Sequence, residues 1–234
     1  SCKRPPPLPP IRTPRGQVAL LAQPEWLAAA QDALRRSNET DNPDLARILC
    51  YTNRRLEQLV PIARRALHGD MADQLPVLPG EVLITRAAVM APACREGEDQ
   101  AEEPDMVLGS NRELVVRDVK PERCDLADFG ISQADLGSEL LAGAMAVPVI
   151  DTLTAQVETG DTQLSLRLLP PVGSAGRMAL DAVLTQLRQQ ARRAAQEGRK
   201  SEGKGLWRRF FLVRDAFASL GPAAVLTVHR AQGS

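Results

Sequence analysis

The chain has 234 residues, of which 44% are apolar, and it carries equal numbers of acidic and basic side chains, 29 of each. This length and apolar fraction are enough for one large or two small domains with buried cores, and they exclude disorder throughout the chain. Aromatic residues make up only 3%, which argues against long aromatic platforms for stacking bases and predicts a core of Leu, Val, Ile and Ala.

The balanced net charge hides an uneven distribution along the chain. Residues 96–139 carry thirteen acidic side chains against four basic ones, and residues 177–214 carry ten basic against three acidic. A segregated basic stretch can neutralise the phosphates of a nucleic acid while the acidic stretch faces solvent. Two ordinary solvated faces of opposite sign account for the same pattern, so both interpretations stay open here.

The distribution of cysteine and histidine argues against a metal site and against a disulfide framework. The four cysteines are far apart, no Cys-x-x-Cys pair occurs, and the histidines are His68 and His229. A tetrahedral metal site needs ligands clustered at short spacing. No apolar run reaches the ~18 residues of a membrane span and no signal-peptide pattern opens the chain. We therefore expect a cytoplasmic protein with no metal ligands, no membrane contact and, for want of paired carboxylates or a nucleophile elbow, no catalytic residue.

The N-terminal residues 1–15 contain six prolines and four basic side chains. This composition resists both helix formation and sheet pairing, so we expect an extended arm. Such an arm serves either as a linker or as a proline-rich ligand for an aromatic groove.

Residues 16–77 have an α/β pattern. Apolar side chains at helical spacing predict an amphipathic helix over residues 24–36. The apolar run at 45–51 predicts a short strand buried on both faces. Asn53 is suited to cap the helix that follows, and Gly69 is suited to end it. The segment is therefore expected to form a strand-turn-helix unit.

Residues 78–173 consist of short strand-like runs separated by Gly, Pro and Asn turns. The runs lie at 81–85, 106–108, 113–119, 146–157 and 163–169. Alternation of apolar and polar residues within such runs predicts a small antiparallel barrel or sheet. The α/β pattern returns further along, so we expect this module to interrupt a discontinuous α/β domain.

Residues 174–205 predict a long helix capped by Ser174 and then a basic, glycine-containing break at 198–205. Residues 206–234 predict a helix from Leu206 to Leu220, halted by Gly221-Pro222, with one buried aromatic face. That face comprises Trp207, Phe210, Phe211 and Phe217. A strand from Ala223 then ends in Thr227-x-His229 and leads into a small, flexible loop at 231–234. Such a strand end can present polar groups to phosphate at the carboxyl edge of a sheet.

Four stretches together resemble the second motor domain of a superfamily 1 DNA helicase. They are Cys50-Tyr51-Thr52-Asn53-Arg54-Arg55, Leu78-Pro79-Gly80-Glu81-Val82-Leu83-Ile84, Trp207-x-x-Phe210 and Thr227-Val228-His229-Arg230-Ala231-Gln232-Gly233-Ser234. The pattern is most similar to the Dda-like and RecD-like enzymes, of the UvrD C-terminal type. The resemblance implies a RecA-like parallel sheet domain, of the P-loop NTPase type, interrupted by a small SH3-like antiparallel β-barrel.

The resemblance also implies roles for individual side chains. Thr52 and Asn53 would contact the backbone of single-stranded DNA, and Thr227 and His229 would do so from the neighbouring loop. The nucleotide would be ATP with Mg²⁺, held between this domain and the first RecA-like domain of the same protein. The residues that would face it are Gln232, Gly233 and Ser234.

The sequence contains no Gly-x-x-x-x-Gly-Lys-Ser/Thr run, the loop whose amides and Lys hold nucleotide phosphates in such motors. The arginine that stabilises the transferring phosphoryl group in such helicases would lie beyond Ser234. We therefore expect a fragment that supplies one grip on DNA and half of the nucleotide cleft. It would bind no nucleotide stably, and it would neither hydrolyse ATP nor unwind DNA by itself.

A second hypothesis belongs to another class of protein. A non-catalytic module on a degenerate RecA-like scaffold, with the barrel and the proline-rich arm binding protein partners or nucleic acid, also explains the missing phosphate loop. Taken singly, Asn53 is an ordinary helix cap and His229 an ordinary surface histidine. Only their joint order around the β-rich module favours the motor.

Overall fold

The computed structural model describes residues 10–14, 16–91, 105–140 and 147–231, without the side chains of residues 137–140 and 230. The helices in chain order are α1 (Gln23–Glu39), α2 (Asn53–His68), α3 (Met71–Gln74), α4 (Gln133–Leu140), α5 (Ala175–Gln196), α6 (Lys200–Asp215) and α7 (Val228–Ala231). The strands are β1 (Ile11–Thr13), β2 (Gly16–Val18), β3 (Ile48–Cys50), β4 (Val82–Thr85), β5 (Val89–Met90), β6 (Met106–Leu108), β7 (Glu113–Asp125), β8 (Val149–Thr159), β9 (Thr162–Arg167), β10 (Leu220–Pro222) and β11 (Val225–Thr227). The fold is mixed α/β, with a parallel sheet and an antiparallel sheet.

The described end of the N-terminal arm forms a hairpin, which the proline content did not predict. Strand β1 pairs antiparallel with β2, with Ile11 opposite Val18. The prolines flank the run Ile11-Arg12-Thr13 and leave its backbone N–H groups free to pair. Every residue of both strands is exposed, and residues 1–9 and 15 of the predicted arm lie outside the described residues.

The parallel sheet joins segments that are far apart in the sequence. Strand β3 pairs with β11 in register, with Ile48 opposite Val225 and Cys50 opposite Thr227. Helices α1 and α2 cover the pair, and their apolar faces share one core with both strands. The helix predicted at 24–36 is confirmed as α1. The strand predicted at 45–51 is shorter than expected and is buried on one face only, because Leu49 is 52% exposed.

The antiparallel sheet has five strands in the order β10-β4-β7-β8-β9. Four of its strands match predicted runs, whereas β10 lies where the end of a helix was predicted. Strand β7 extends six residues beyond Val119 and has a register shift between Val116 and Asp118. A separate hairpin pairs β5 with β6. Among the described residues no closed barrel is found, so the predicted barrel is present only as an antiparallel sheet.

The segment from Ala218 to Pro222 contacts both edges of this sheet. The Ala218 amide donates to the Arg167 carbonyl at 2.7 Å, and the Leu169 amide donates to the Ala218 carbonyl at 3.0 Å, next to β9. Two residues later β10 pairs with β4 at the opposite edge, with Leu220 opposite Thr85. The prediction that Gly221-Pro222 halts a helix was therefore wrong: these residues form an edge strand, where a proline without an N–H is tolerated.

Helices α5 and α6 pack over the antiparallel sheet and form a second core with it. The Ser174 hydroxyl accepts a hydrogen bond from the Arg177 amide at 3.1 Å, which confirms the predicted cap of α5. The predicted break at 198–205 is much shorter, because α6 begins at Lys200 and includes two glycines. A β-carbon on Gly203 would lie 3.4 Å from the Ala191 carbonyl oxygen, so this glycine allows α6 to approach α5 closely. Tertiary packing here outweighs the low helix propensity of glycine.

The aromatic face predicted for residues 206–220 is only partly correct. Trp207 and Phe210 pack against the core beside α5, and Phe217 is buried but lies beyond the end of α6. Phe211 is 44% exposed and stacks on Trp207, with ring centroids 5.8 Å apart. The helix ends at Asp215, because the following backbone is captured by hydrogen bonds to β9. Within the described ranges no helix is both long and apolar enough to cross a bilayer.

Candidate nucleic-acid interface

The candidate interface lies where the two parallel strands end. Because β3 and β11 are adjacent and run in the same direction, the chain leaves both at the same edge of the sheet. Residues 51–53 follow β3, and residues 228–231 follow β11. The sequence-based expectation that these two tips lie side by side is confirmed.

Thr52 occupies the capping position that was predicted for Asn53. Thr52 has an extended backbone, with φ −119° and ψ 149°, and its hydroxyl accepts a hydrogen bond from the Arg55 amide at 3.2 Å. Thr52 is therefore the N-cap of α2, and Asn53 is the first helical residue. The prediction that Asn53 caps the helix was wrong by one position. Asn53 is exposed, and its amide side chain is left to line the cleft described below.

The β11 side of the interface presents a hydroxyl and an imidazole. Thr227 is 7% exposed at the end of the strand, and the exposed His229 follows in α7. The ring of His229 meets the ring of Tyr51 edge to face, with centroids 5.9 Å apart and an interplanar angle of 63°. The strand predicted to end in Thr-x-His ends at Thr227, and residues 228–231 form a short helical turn. Gln232, Gly233 and Ser234, the residues predicted to face the nucleotide, lie outside the described residues.

These side chains line one open cleft of about 390 Å³, formed by Tyr51, Thr52, Asn53, Thr227 and His229. All four residues predicted to contact single-stranded DNA are therefore brought together. Tyr51 also lines the cleft, although no role was predicted for it from the sequence. Its position directly after a strand, next to Thr52, is the signal that could have identified it.

The lining of the cleft consists of neutral hydrogen-bonding groups. Two hydroxyls, one carboxamide, one phenol and one imidazole can donate to phosphate oxygens without the strong, salt-sensitive attraction of a full positive charge. Two basic residues, Arg54 and Arg55, lie in the first turn of α2 beside the cleft. The cleft can therefore bind a phosphodiester backbone through modest contacts, supported by nearby positive charge.

The Cys50 thiol, next to the cleft, is not available as a nucleophile. Cys50 is buried, and its thiol lies 3.4 Å from the Leu226 carbonyl oxygen across the strand pair. Burial raises the pKa of the Cys50 thiol, which keeps it protonated. Cys124, also buried and free, has a thiol pKa raised by the same cause. Within the described part of the chain, no group of three or more His, Cys, Asp or Glu side chains is placed to hold a metal ion.

Comparison with known proteins supplies no assignment. No protein-family model matches the chain, and a search of curated proteins gives no match either.

Proposed function

We propose that this chain is the second motor domain of an ATP-dependent superfamily 1 DNA helicase, RecA-like with an SH3-like insert, and that its cleft grips single-stranded DNA. The observation that carries the proposal is the parallel pairing of β3 with β11, which brings Asn53 and His229 to one open cleft. The two residues are far apart in the sequence, and the resemblance implies a DNA contact for each of them.

The chemistry of the cleft suits a motor that must release the DNA strand at every step. A backbone contact made by a neutral hydroxyl or amide contributes only about 0.5–1.5 kcal/mol net. Several such contacts together hold a strand, and each is weak enough to break when the domain moves. The Thr52 hydroxyl, which already accepts from Arg55, keeps its own proton for donation to a phosphate oxygen.

The nucleotide belongs to the complete protein in this proposal. ATP with Mg²⁺ would lie between this domain and the first RecA-like domain, and its binding and hydrolysis would close and reopen the space between them. Gln232, Gly233 and Ser234 would face it from this side, and a glycine there lets backbone approach phosphate. The sequence carries no phosphate loop, so the first RecA-like domain would supply the main phosphate contacts. Alternation between tight and loose grips on the two domains would then move the strand in one direction.

The proposal is tested by fluorescence anisotropy with a labelled single-stranded DNA oligonucleotide at low salt. We expect weak binding that falls as salt is added, because Arg54 and Arg55 beside the cleft attract the phosphates. The double variant Asn53→Ala/His229→Ala should bind roughly thirtyfold more weakly, since it loses two backbone contacts worth about 1 kcal/mol each. Asn38→Ala, an exposed asparagine on α1 away from the cleft, is the matched control and should bind like the wild type.

Equal affinity of the wild type and the double variant would overturn the proposal. It would favour the alternative, a non-catalytic module whose antiparallel sheet or N-terminal arm contacts a protein partner. Mixing the chain with a first RecA-like domain of the same helicase group gives a second test. Binding of an ATP analogue by the mixture, and by neither part alone, is the result expected for half of a nucleotide cleft.

A further inference from the structure

A second hollow of about 310 Å³ lies beside the strand-tip cleft, and Asn53 lines both. It opens between the first turns of α2 and the strands β4, β10 and β11. Its polar lining comes from Asn53, Glu57, Arg86 and Ser219, and Ile84 and Pro222 are among its apolar walls. The hollow therefore lies where the parallel and antiparallel sheets meet, and it continues the cleft away from His229.

The lining of this hollow differs chemically from that of the cleft. A phosphate site would present donors only, but here a carboxylate acceptor, Glu57, accompanies the guanidinium of Arg86 and the amide of Asn53. Mixed donors and acceptors around apolar walls match the edge of a nucleobase, which carries both kinds of group around a flat apolar face. The volume is near the lower end of the range for small-molecule pockets, about 300–1,000 Å³, which suits a single base.

We propose that this hollow receives one base of the DNA strand whose backbone is held at the strand tips, with Arg86 reading the edge of that base. The inference rests on the proposed function, because it needs the strand in the neighbouring cleft. A base bound here connects the DNA to the antiparallel sheet as well as to the parallel sheet, since Arg86 directly follows β4.

Arg86 is placed by a specific feature of β10. Its amide donates to the Ser219 carbonyl at 2.7 Å, which fixes the backbone beside the hollow. A β-carbon built on Gly221 would lie 2.3 Å from the Nε and 2.5 Å from an Nη of the Arg86 guanidinium. The guanidinium therefore occupies space that exists only because residue 221 has no side chain. A methyl group there would displace the guanidinium, the flexible end of the side chain, without removing its charge.

This relationship provides a variant that moves the guanidinium without removing it. We would measure anisotropy with a thymidine oligonucleotide and with an oligonucleotide of abasic sites of the same length. The wild type should bind the thymidine strand about tenfold more tightly than the abasic strand, the gain expected from one well-placed base contact. Gly221→Ala should reduce that ratio to near one and leave abasic binding unchanged. Arg86→Lys, which keeps the charge but loses the planar fork, should do the same.

Gly205→Ala is the matched control, because a β-carbon there meets nothing within 4 Å, and it should keep the wild-type ratio. Circular dichroism checks that Gly221→Ala is folded, and Arg86→Lys decides the outcome if it is not. A thymidine-to-abasic affinity ratio of one in the wild type overturns the base site and leaves the proposed DNA grip intact. So does an unchanged ratio in both Gly221→Ala and Arg86→Lys. If the variants lose affinity equally for both oligonucleotides, Arg86 contacts phosphate, and the base site is again overturned. No binding of either oligonucleotide overturns the proposed function itself.

Discussion

The ring of Tyr51 contacts the ring of His229 edge to face across the ends of two parallel strands, at a centroid distance of 5.9 Å. The contact joins the β3 tip to the β11 tip through side chains, beyond the backbone pairing of the strands. An edge-to-face pair contributes about 0.5–1.5 kcal/mol beyond the area it buries. Tyr51 therefore orients the imidazole that faces the cleft.

Replacement of Tyr51 should change the surroundings of His229 and leave the other histidine unaffected. In a proton NMR spectrum of Tyr51→Leu, we expect the imidazole C–H signals of His229 to shift as the ring current of Tyr51 is lost. His68 is the internal reference, since the chain has two histidines. Tyr51→Phe keeps the ring and should keep the shift. Identical His229 signals in Tyr51→Leu and wild type would show that the two rings are apart in solution.

Removal of Arg64 should strongly destabilise the chain. Its guanidinium donates to both Glu81 carboxylate oxygens, at 2.8 and 3.1 Å, and to two carbonyls near α3, while the Glu81 side chain is only 3% exposed. Arg64→Ala leaves a buried carboxylate without its cation, so the free energy of unfolding in urea should fall by about 3–5 kcal/mol.

The adjacent residue provides the control for this experiment. Arg65 pairs with Asp73 on the surface, where both side chains are at least half exposed. An exposed pair contributes roughly 0–1 kcal/mol, so Arg65→Ala should have little effect. A similar loss of stability in the two variants would show that the Arg64–Glu81 pair is not buried.

Stability should fall in mild acid because of His68. Its Nε2 is buried and has no hydrogen-bond partner among the described residues. Burial lowers the pKa of His68, nearby Arg64 adds to this, and Glu81 opposes it. The unfolded chain therefore binds a proton more readily than the folded one, and stability is lost as pH falls through the ordinary histidine pKa of about 6.5.

Urea midpoints between about pH 7.5 and pH 5.5 would measure this slope. His68→Gln cannot titrate, so its midpoint should vary less with pH. Carboxyls whose pKa is lowered by arginine partners, such as Glu122 beside Arg167, lose their stabilising contribution only nearer their ordinary pKa of about 4.3, below this window. Parallel curves for His68→Gln and wild type would show that His68 is solvated in the folded state.

A bulky residue at position 203 should separate the two long helices. A side chain on Gly203 meets the backbone of Ala191, whereas one on Gly205 meets nothing within 4 Å. Gly203→Leu should lower the free energy of unfolding by about 1–3 kcal/mol through overpacking. Gly205→Leu should not, and should stabilise α6 slightly because it replaces a helical glycine. Calorimetry of the pair tests this, and equal melting temperatures would contradict the close approach of α6 to α5.

Local signals in the sequence were enough for several elements of the fold. Apolar residues at helical spacing predicted helices α1 and α5, and the residue type of Ser174 alone predicted the cap of α5. The adjacency of the strand tips was expected from the order of two motifs around a β-rich module. The grouping of Thr52, Asn53, Thr227 and His229 at one cleft could be predicted in this way.

The features that escaped prediction depend on contacts between distant residues. Ala218 and Pro222 belong to the antiparallel sheet because their partners, Arg167 and Leu83, lie across the fold. Gly203 is helical because Ala191 packs against it. Arg86 lines the hollow beside the cleft, where the far-off Gly221 leaves room for its guanidinium. In each case the local sequence permits several conformations and the tertiary partner selects one.

The short stretch from Ala218 to Thr227 is hydrogen-bonded in turn to one margin of the large sheet, to its other margin and then to the parallel pair. Unfolding of either sheet should therefore destabilise the other, because one continuous peptide contributes β10 to the antiparallel sheet and β11 to the parallel one. We therefore expect heat to unfold the two layers in a single cooperative transition, with calorimetric and van't Hoff enthalpies that agree.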